Sequence, residues 1–199
     1  RSDKGASIAA NVCKGQLLKF AEFAPAELFS ETTFSITAKP QKNPFIDADG
    51  NRVRYEDLGE SQQQYAKQAQ AYIEAEGRCV EQQRYIKQLL SDIYAEWRDA
   101  IIQDQKQYPF TKKELNALNG YGIEKAYGCT LLAFLQTRYY WLAFQIGDGK
   151  ILICDKNLEW DLPVPADCAC FLNYTTSLCD NNPVIEFRYA FNGVETNPL

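Results

Sequence analysis

The chain has 199 residues, 46% hydrophobic and 24% charged, the balance of one folded domain or two small ones rather than of a disordered segment. Its 21 Lys+Arg against 26 Asp+Glu leave a net charge of −5, and the densest positive stretch is Lys112-Lys113, so no nucleic-acid partner is expected. No uncharged apolar run approaches the ~20 residues that cross a bilayer, so no membrane partner is expected, and no secretion signal is visible, although one could have been removed; the reduced thiols and the family resemblance described below carry the expectation of a cytoplasmic location.

From Asp3 to about Phe23, the residues Ile8, Val12, Cys13, Leu17 and Phe20 fall close to helical spacing. This predicts an amphipathic helix with Ser2 or Asp3 as its N-cap. From Ala24 to Glu60 the pattern dissolves around Pro25, Pro40 and Pro44, and a variable insertion is expected near 25–60, more a passive surface loop than a lid. Within it, Phe45 to Val53 reads as a short hairpin around an Asp-Gly turn. Asp47, Asp49 and Asn51 suggest a calcium loop, but the glycine stands one place early and the twelfth position is Leu58, so calcium is excluded.

Ser61 to Gln107 is the most helical stretch. Ile86, Leu89, Leu90, Ile93, Trp97, Ala100 and Ile101 recur at i, i+3, i+4 and i+7 in its second half, while Tyr65, Ala69, Tyr72 and Ile73 make a narrower stripe in its first. Gly77 predicts a break between the halves. Thr111-Lys112-Lys113-Glu114 reads as a capping box opening a short helix after Pro109.

Beyond it the register changes. Thr130–Leu135, Tyr140–Ile146 and Ile151–Cys154 are short apolar runs parted by turns at Gln136-Thr137-Arg138 and Gly147-Asp148-Gly149. They predict an antiparallel meander buried on both faces or nearly so, which Leu158-Glu159-Trp160 extends. Ile185, Phe187, Tyr189 and Phe191 alternate with Glu186, Arg188 and Ala190, a half-exposed strand. Helices first and strands after give an α+β layered domain.

Two absences narrow the chemistry. Without any histidine, Ser-His-Asp and Cys-His nucleophile systems and His-ligated zinc are unavailable to this chain, leaving carboxylates, Cys, Lys and Tyr. Methionine is also absent, even at the start, which predicts a trimmed piece of something longer or a sequence written without its modified methionines. The seven cysteines follow no framework spacing. Cys168-x-Cys170 is the one close pair, without a second pair at zinc-ribbon spacing, and reduced thiols are expected.

Three stretches occur in a telling order: Tyr127-Gly128-Cys129-Thr130-Leu131-Leu132, Gln145-Ile146-Gly147-Asp148-Gly149, and Phe171-Leu172-Asn173-Tyr174-Thr175-Thr176-Ser177-Leu178-Cys179. Their succession resembles the bacterial branch of the protein phosphatase 2C family, the metal-dependent Ser/Thr phosphatases. Arg1-Ser2-Asp3-Lys4-Gly5-Ala6-Ser7-Ile8-Ala9 resembles the start of that family's first helix, which directly follows its Asp-Gly-x-Gly metal motif, and the helix around Trp97-Arg98 also fits. The resemblance spans most of the chain and is weakest from about Pro25 to Glu76. It implies an antiparallel β-sandwich flanked by helix pairs in α-β-β-α layers, over residues 1–199 as a single partial domain. It also implies two divalent cations, Mn²⁺ or Mg²⁺, held by aspartates and waters, whose bound hydroxide attacks the phosphorus of phosphoserine or phosphothreonine. Such a metal supplies a nucleophile at neutral pH without histidine.

Carried over residue by residue, the resemblance implies a metal ligand at Asp148, with Gly147 and Gly149 shaping its turn. The plain alternative is an Asp-Gly hairpin with no metal at all. Asn173 and Thr175-Thr176-Ser177 match a family signature and read as satisfied hydroxyls at a strand end. The family's other metal aspartates belong to motifs expected before Arg1 and after Leu199. Asp161, Asp167 and Asp180 stand in none of them, and no catalytic residue is assigned.

The chain therefore reads as an internal segment of a phosphatase domain, with strand edges and apolar faces left uncovered and poor catalysis by itself. A monomer acting on phosphoprotein substrates in signalling is the leading expectation. The rivals are a non-catalytic phosphatase-like binding or regulatory module, and a helical interaction protein in which Ser61–Gln107 offers Leu90 and Ile93 to a partner.

Overall fold

Gly5, Ala9 and Cys13 recur at intervals of four, and small side chains at that spacing let a helix lie close against its neighbours. In the computed structural model, which describes residues 1–30, 45–46, 50–155, 157–165 and 175–194, helix α1 (Ser2–Phe23) buries all three together with Phe20. A Cβ on Gly5 would overlap the Tyr127 carbonyl, and the Gly5 carbonyl accepts from the Trp97 indole at 3.2 Å. The expected cap is not formed. Ser2 and Asp3 lie inside the first turn, and the helix is entered from Arg1 without a side-chain cap. Arg1 fixes the entry instead, its guanidinium donating to Glu114 Oε1 at 3.0 Å and to the carbonyls of Tyr108 and Pro109 at 2.7 and 3.2 Å.

The chain divides into two compact units, one of Thr33–Arg84 and one of Arg1–Thr32 with Tyr85–Leu199. In the first, Ile46 and Arg52 form an antiparallel bridge, and the Val53 amide donates to the Phe45 carbonyl at 3.0 Å. Gly50 supplies the positive φ of +84° between them, the hairpin expected of the Asp-Gly pair. Asp47 and Asp49 lie outside the described residues. A 3-10 turn at Tyr55–Asp57 leads into α3 (Glu60–Gln107), a single helix of 48 residues whose first half buries Ala66 and Ala69.

No break occurs at Gly77. A mid-helix glycine costs only about 1 kcal/mol relative to alanine and keeps both its backbone hydrogen bonds. Nothing lies within 4 Å of its missing Cβ, so no packing demand interrupts the helix there.

The second unit is built on a three-stranded antiparallel sheet in the order β1-β2-β5, with β1 at Leu131–Gln136, β2 at Tyr140–Ile146 and β5 at Arg188–Gly193. Leu131 pairs with Ile146, Leu142 with Phe191, and Phe144 with Tyr189. This register puts Tyr140, Leu142, Phe144 and Ile146 on one face. They pack against Ala9, Cys13 and Phe20 of α1, Leu28 and Phe29 of α2 (Ala26–Ser30), and Ile86, Leu90, Ile93, Trp97 and Ile101 of α3. Each such Leu, Ile or Phe contributes about 1.5–3 kcal/mol by leaving water. The apolar stripe of α3 is therefore core: Leu90 and Ile93 are fully buried, and the reading in which they meet a partner is overturned.

The other sheet face carries Trp141 and Ala143, covered by Ile153 and Val164. Leu132 and Phe134 of β1 stay exposed on that face, with the Phe134 ring stacked on Trp141 at 6.2 Å between centroids.

The expected meander is corrected at its third strand. β3 (Ile153–Cys154) does not pair with β2 but with β4 (Trp160–Asp161), in a separate two-stranded ladder. β2 is buried along its whole length, so its second neighbour must carry bulk to the helical face. Tyr189 and Phe191 of β5 supply it. Ile153 is used on the opposite face, over Trp141.

The C-terminal strand also begins later than expected. Pro183 opens the short helix α5 (Pro183–Glu186), where its fixed φ and missing N–H cost nothing, and Ile185 is left exposed. The capping box is present as expected at α4 (Lys112–Leu118): Thr111 Oγ1 accepts from the Glu114 amide at 3.3 Å, and the Glu114 carboxylate from the Thr111 amide at 2.8 Å. The architecture is α+β with antiparallel sheets. Among the described residues, no helix is long and apolar enough to cross a membrane.

Candidate functional site

Where β2 ends, the chain must turn sharply beneath a packed neighbour, and only glycine permits it. Gly147 has φ +108°. A Cβ there would stand 2.7 Å from Thr130 Cβ, closer than real atoms approach. Both backbone groups of Gly147 are held: its N–H donates to Thr176 Oγ1 at 3.0 Å, and its carbonyl accepts from Arg188 Nη2 at 2.6 Å. Two residues on, the Gly149 carbonyl accepts from Gln145 Nε2 at 2.8 Å, and a Cβ on Gly149 would meet the Leu132 methyls at 2.7 and 2.8 Å. Asp148 sits between these two fixed points with its carboxylate exposed to solvent.

Thr176 is itself positioned by its own segment. The Ser177 hydroxyl and the Leu178 amide both donate to the Cys129 carbonyl at 3.0 Å. The Ser177 amide donates to Asp180 Oδ2 at 2.9 Å, and Asp180 Oδ1 accepts from Lys125 Nζ at 3.2 Å. That carboxylate raises the Lys125 ammonium above its ordinary pKa. A cleft of about 390 Å³ opens beside this pair, lined by Tyr121, Lys125, Asp180, Asn181, Asn182 and Glu186.

The fold thus brings Tyr127–Thr130, Gln145–Gly149 and Thr175–Asp180 to one end of the sheet, although they lie far apart in the chain. The hydroxyls of Thr176 and Ser177 are satisfied, as expected of a strand end. Asn173, Asp167, Cys168 and Cys170 lie outside the described residues. Asp161 is exposed on β4, its carboxylate accepting from the Leu162 amide at 2.7 Å. Arg188 was legible only as the polar phase of an alternating strand; its hold on Gly147 spans 41 residues and leaves no local sequence signal.

A divalent metal bound by oxygen needs several carboxylates together. Asp148 offers one hard oxygen donor. Among the described residues, no group of three or more His, Cys, Asp or Glu is gathered where it would hold a metal ion. The described residues therefore do not make a metal centre by themselves.

Compared with known proteins, residues 56–196, more than half of the chain, match the family model described as Protein phosphatase 2C. Neither curated proteins nor solved structures return a match.

Proposed function

The chain belongs to the protein phosphatase 2C family, and from that membership we propose that it hydrolyses phosphoserine and phosphothreonine in protein substrates with the aid of Mn²⁺ or Mg²⁺. The observation that carries the reading is the pinned turn at Gly147-Asp148-Gly149. Both flanks of Asp148 are fixed by buried or half-buried hydrogen bonds, to Thr176 from the Gly147 amide and from Arg188 and Gln145 to the carbonyls of Gly147 and Gly149, while its carboxylate is left free for a ligand. Preorganisation of this kind favours a group that must meet a charge in one place, because little is lost in ordering it on binding.

The role proposed for Asp148 is that of one metal ligand. Since the described residues do not complete a centre around it, the chemical step is not assigned to any of them. Thr176, Arg188 and Gln145 are positioning residues: they touch the backbone of the turn and set where the carboxylate stands. A monomeric cytoplasmic enzyme, with its strands and helices arranged as the sandwich of the family, completes the proposal.

The test is hydrolysis of an aryl phosphate and of a phosphothreonine peptide, with and without Mn²⁺, beside Asp148→Ala. The proposal expects Mn²⁺-dependent turnover that the variant lowers by about 10-fold or more, the scale seen when metal-site groups are removed. Turnover that ignores both divalent metal and Asp148 would refute the metal assignment. No turnover with any divalent metal would point instead to a partial phosphatase domain or to a non-catalytic phosphatase-like binding module.

A further inference from the structure

The cleft that opens beside Lys125 and Asp180 takes no part in the reading above, and two separate stretches of chain wall it. Tyr121 follows the left-handed pair Asn119-Gly120 that ends α4, and its amide donates to the Leu118 carbonyl at 2.9 Å, so the chain leaves the helix in a fixed direction. Lys125 stands on the 3-10 turn that comes next (Ile123–Tyr127), its amide donating to the Gly122 carbonyl at 3.2 Å. The second stretch runs from Asp180 to Glu186. There the Asp180 amide donates to the Ser177 carbonyl at 3.0 Å, the Ile185 amide donates to the Asn182 carbonyl at 3.3 Å, and Pro183 is buried. Backbone bonds therefore hold the frame of the cleft.

The side chains left unused decide what fits it. Both oxygens of Asp180 are occupied, Oδ1 by the Lys125 ammonium at 3.2 Å and Oδ2 by the Ser177 amide at 2.9 Å, and Lys125 and Asp180 balance each other in charge. Glu186 has no ion pair or hydrogen bond among the described residues, so the lining keeps one unbalanced negative charge. Asn181 and Asn182 are exposed, and their side chains make no hydrogen bond among the described residues. The Tyr121 ring is 65% exposed and has no aromatic or cationic neighbour among them. A carboxylate, two amide carbonyls and a tyrosine ring all accept a cation, while the same carboxylate repels phosphate and acidic side chains. A guanidinium suits this set better than an ammonium, because its planar fork bonds a carboxylate twice and stacks on an aromatic ring.

We infer that this cleft receives an arginine side chain of the phosphoprotein substrate, a few residues from the phosphorylated serine or threonine. The phosphorylated residue rests on the phosphatase reading, the arginine on the cleft. One segment joins the two places: Thr176 accepts the Gly147 amide, and Asn181 lines the cleft five residues later. Five residues extend at most about 18 Å, so an arginine within about six positions of the phosphorylated residue reaches the cleft while that residue lies beside the Asp148 turn.

Two arms test this on the intact chain. In the first, a blocked Ala-Arg-Ala tripeptide is titrated into isotope-labelled protein and followed by NMR, beside tripeptides with glutamine or glutamate at the centre. The arginine peptide is expected to shift the backbone amide of Tyr121 and the side-chain amides of Asn181 and Asn182, and the other two are not. Glu186→Gln weakens that binding about 3- to 10-fold. Tyr121→Leu weakens it as well, and Tyr121→Phe, which keeps the ring, retains it. In the second arm, kcat/KM with Mn²⁺ is measured for phosphothreonine peptides that carry one arginine or one glutamine, moved stepwise through the positions on either side. At one or more positions arginine raises kcat/KM several-fold, and Glu186→Gln narrows the gap. Equal shifts from the glutamine peptide, shifts confined to other residues, or binding indifferent to Glu186 would overturn the site. Binding in the cleft with no advantage for arginine at any position would overturn the substrate assignment. If no peptide is hydrolysed, the phosphatase reading fails on its own, and the affinities of the same phosphothreonine peptides decide: tighter binding of those with arginine upholds the inference, and equal binding overturns it.

Discussion

Replacing Thr176 with valine removes one hydroxyl and little else, which isolates what holds the Asp148 turn. Thr176 is 1% exposed, and its Oγ1 accepts the Gly147 amide at 3.0 Å in a bond buried from water. Valine keeps the volume but leaves that N–H without its acceptor, and an unsatisfied buried donor costs about 1–3 kcal/mol. Thr176→Val should lower the free energy of unfolding by that amount. If the loss is felt as local opening, exchange of the Gly147 amide should quicken by about 5- to 150-fold.

Thr176→Ser is the control. It keeps the hydroxyl and loses one methyl, worth about 1 kcal/mol, so protection at Gly147 should survive even though stability falls. Urea unfolding with linear extrapolation gives the first quantity, and residue-resolved hydrogen exchange the second. A valine variant no less stable than the serine one, with Gly147 protection unchanged, would refute the argument that this hydrogen bond pins the turn.

Gly147→Ala should destabilise by at least about 1–3 kcal/mol from its φ of +108° alone, before the crowding of Thr130 is counted; adding Thr130→Ser should restore part of the loss in thermal melts, and an alanine variant as stable as the parent would show the turn to be relaxed. The Glu114 carboxyl is held well below its usual range, at about 2, by the Arg1 guanidinium first and then by the Thr111 amide and hydroxyl. A depressed carboxyl pKa stabilises the fold fully above the ordinary value near 4.5 and loses that contribution as pH falls towards 2. Arg1→Gln should flatten this acid limb in unfolding curves taken from neutral pH downward, and an unchanged limb would mean that other carboxyls set it. Tyr140 is 1% exposed, its hydroxyl has no hydrogen-bond partner among the described residues, and burial pushes the phenol up to about 12. Tyr140→Phe should therefore leave stability unchanged or raise it by up to about 1 kcal/mol in denaturant titrations, and a clear loss would reveal a partner for the hydroxyl.

By itself the sequence determined what depends on neighbours along the chain. Helix α1, the capping box at Thr111, the buried stripe from Ile86 to Ile101, and strands β1 and β2 all follow from periodicity or from bonds that reach three or four residues. The turn at Gly147-Asp148-Gly149 and the family resemblance around it were legible for the same reason, each being a short run of specific residues. Local signals misled where they were weak: Gly77 carries a propensity cost too small to interrupt a long helix, and Ser2 and Asp3 are cap-forming types that the Arg1 anchor displaced into the first turn.

Only the tertiary structure decided which strand lies beside β2 and what fixes Asp148. Ile151–Cys154 and Arg188–Gly193 are both apolar enough to pair with β2, and the choice depends on which delivers Tyr189-sized bulk to the helical face once the sheet is packed. The bonds that pin the turn come from Thr176 and Arg188, 29 and 41 residues away. A buried hydrogen bond between such distant residues depends on the excluded volume and burial of everything between them, which no periodicity along the chain encodes.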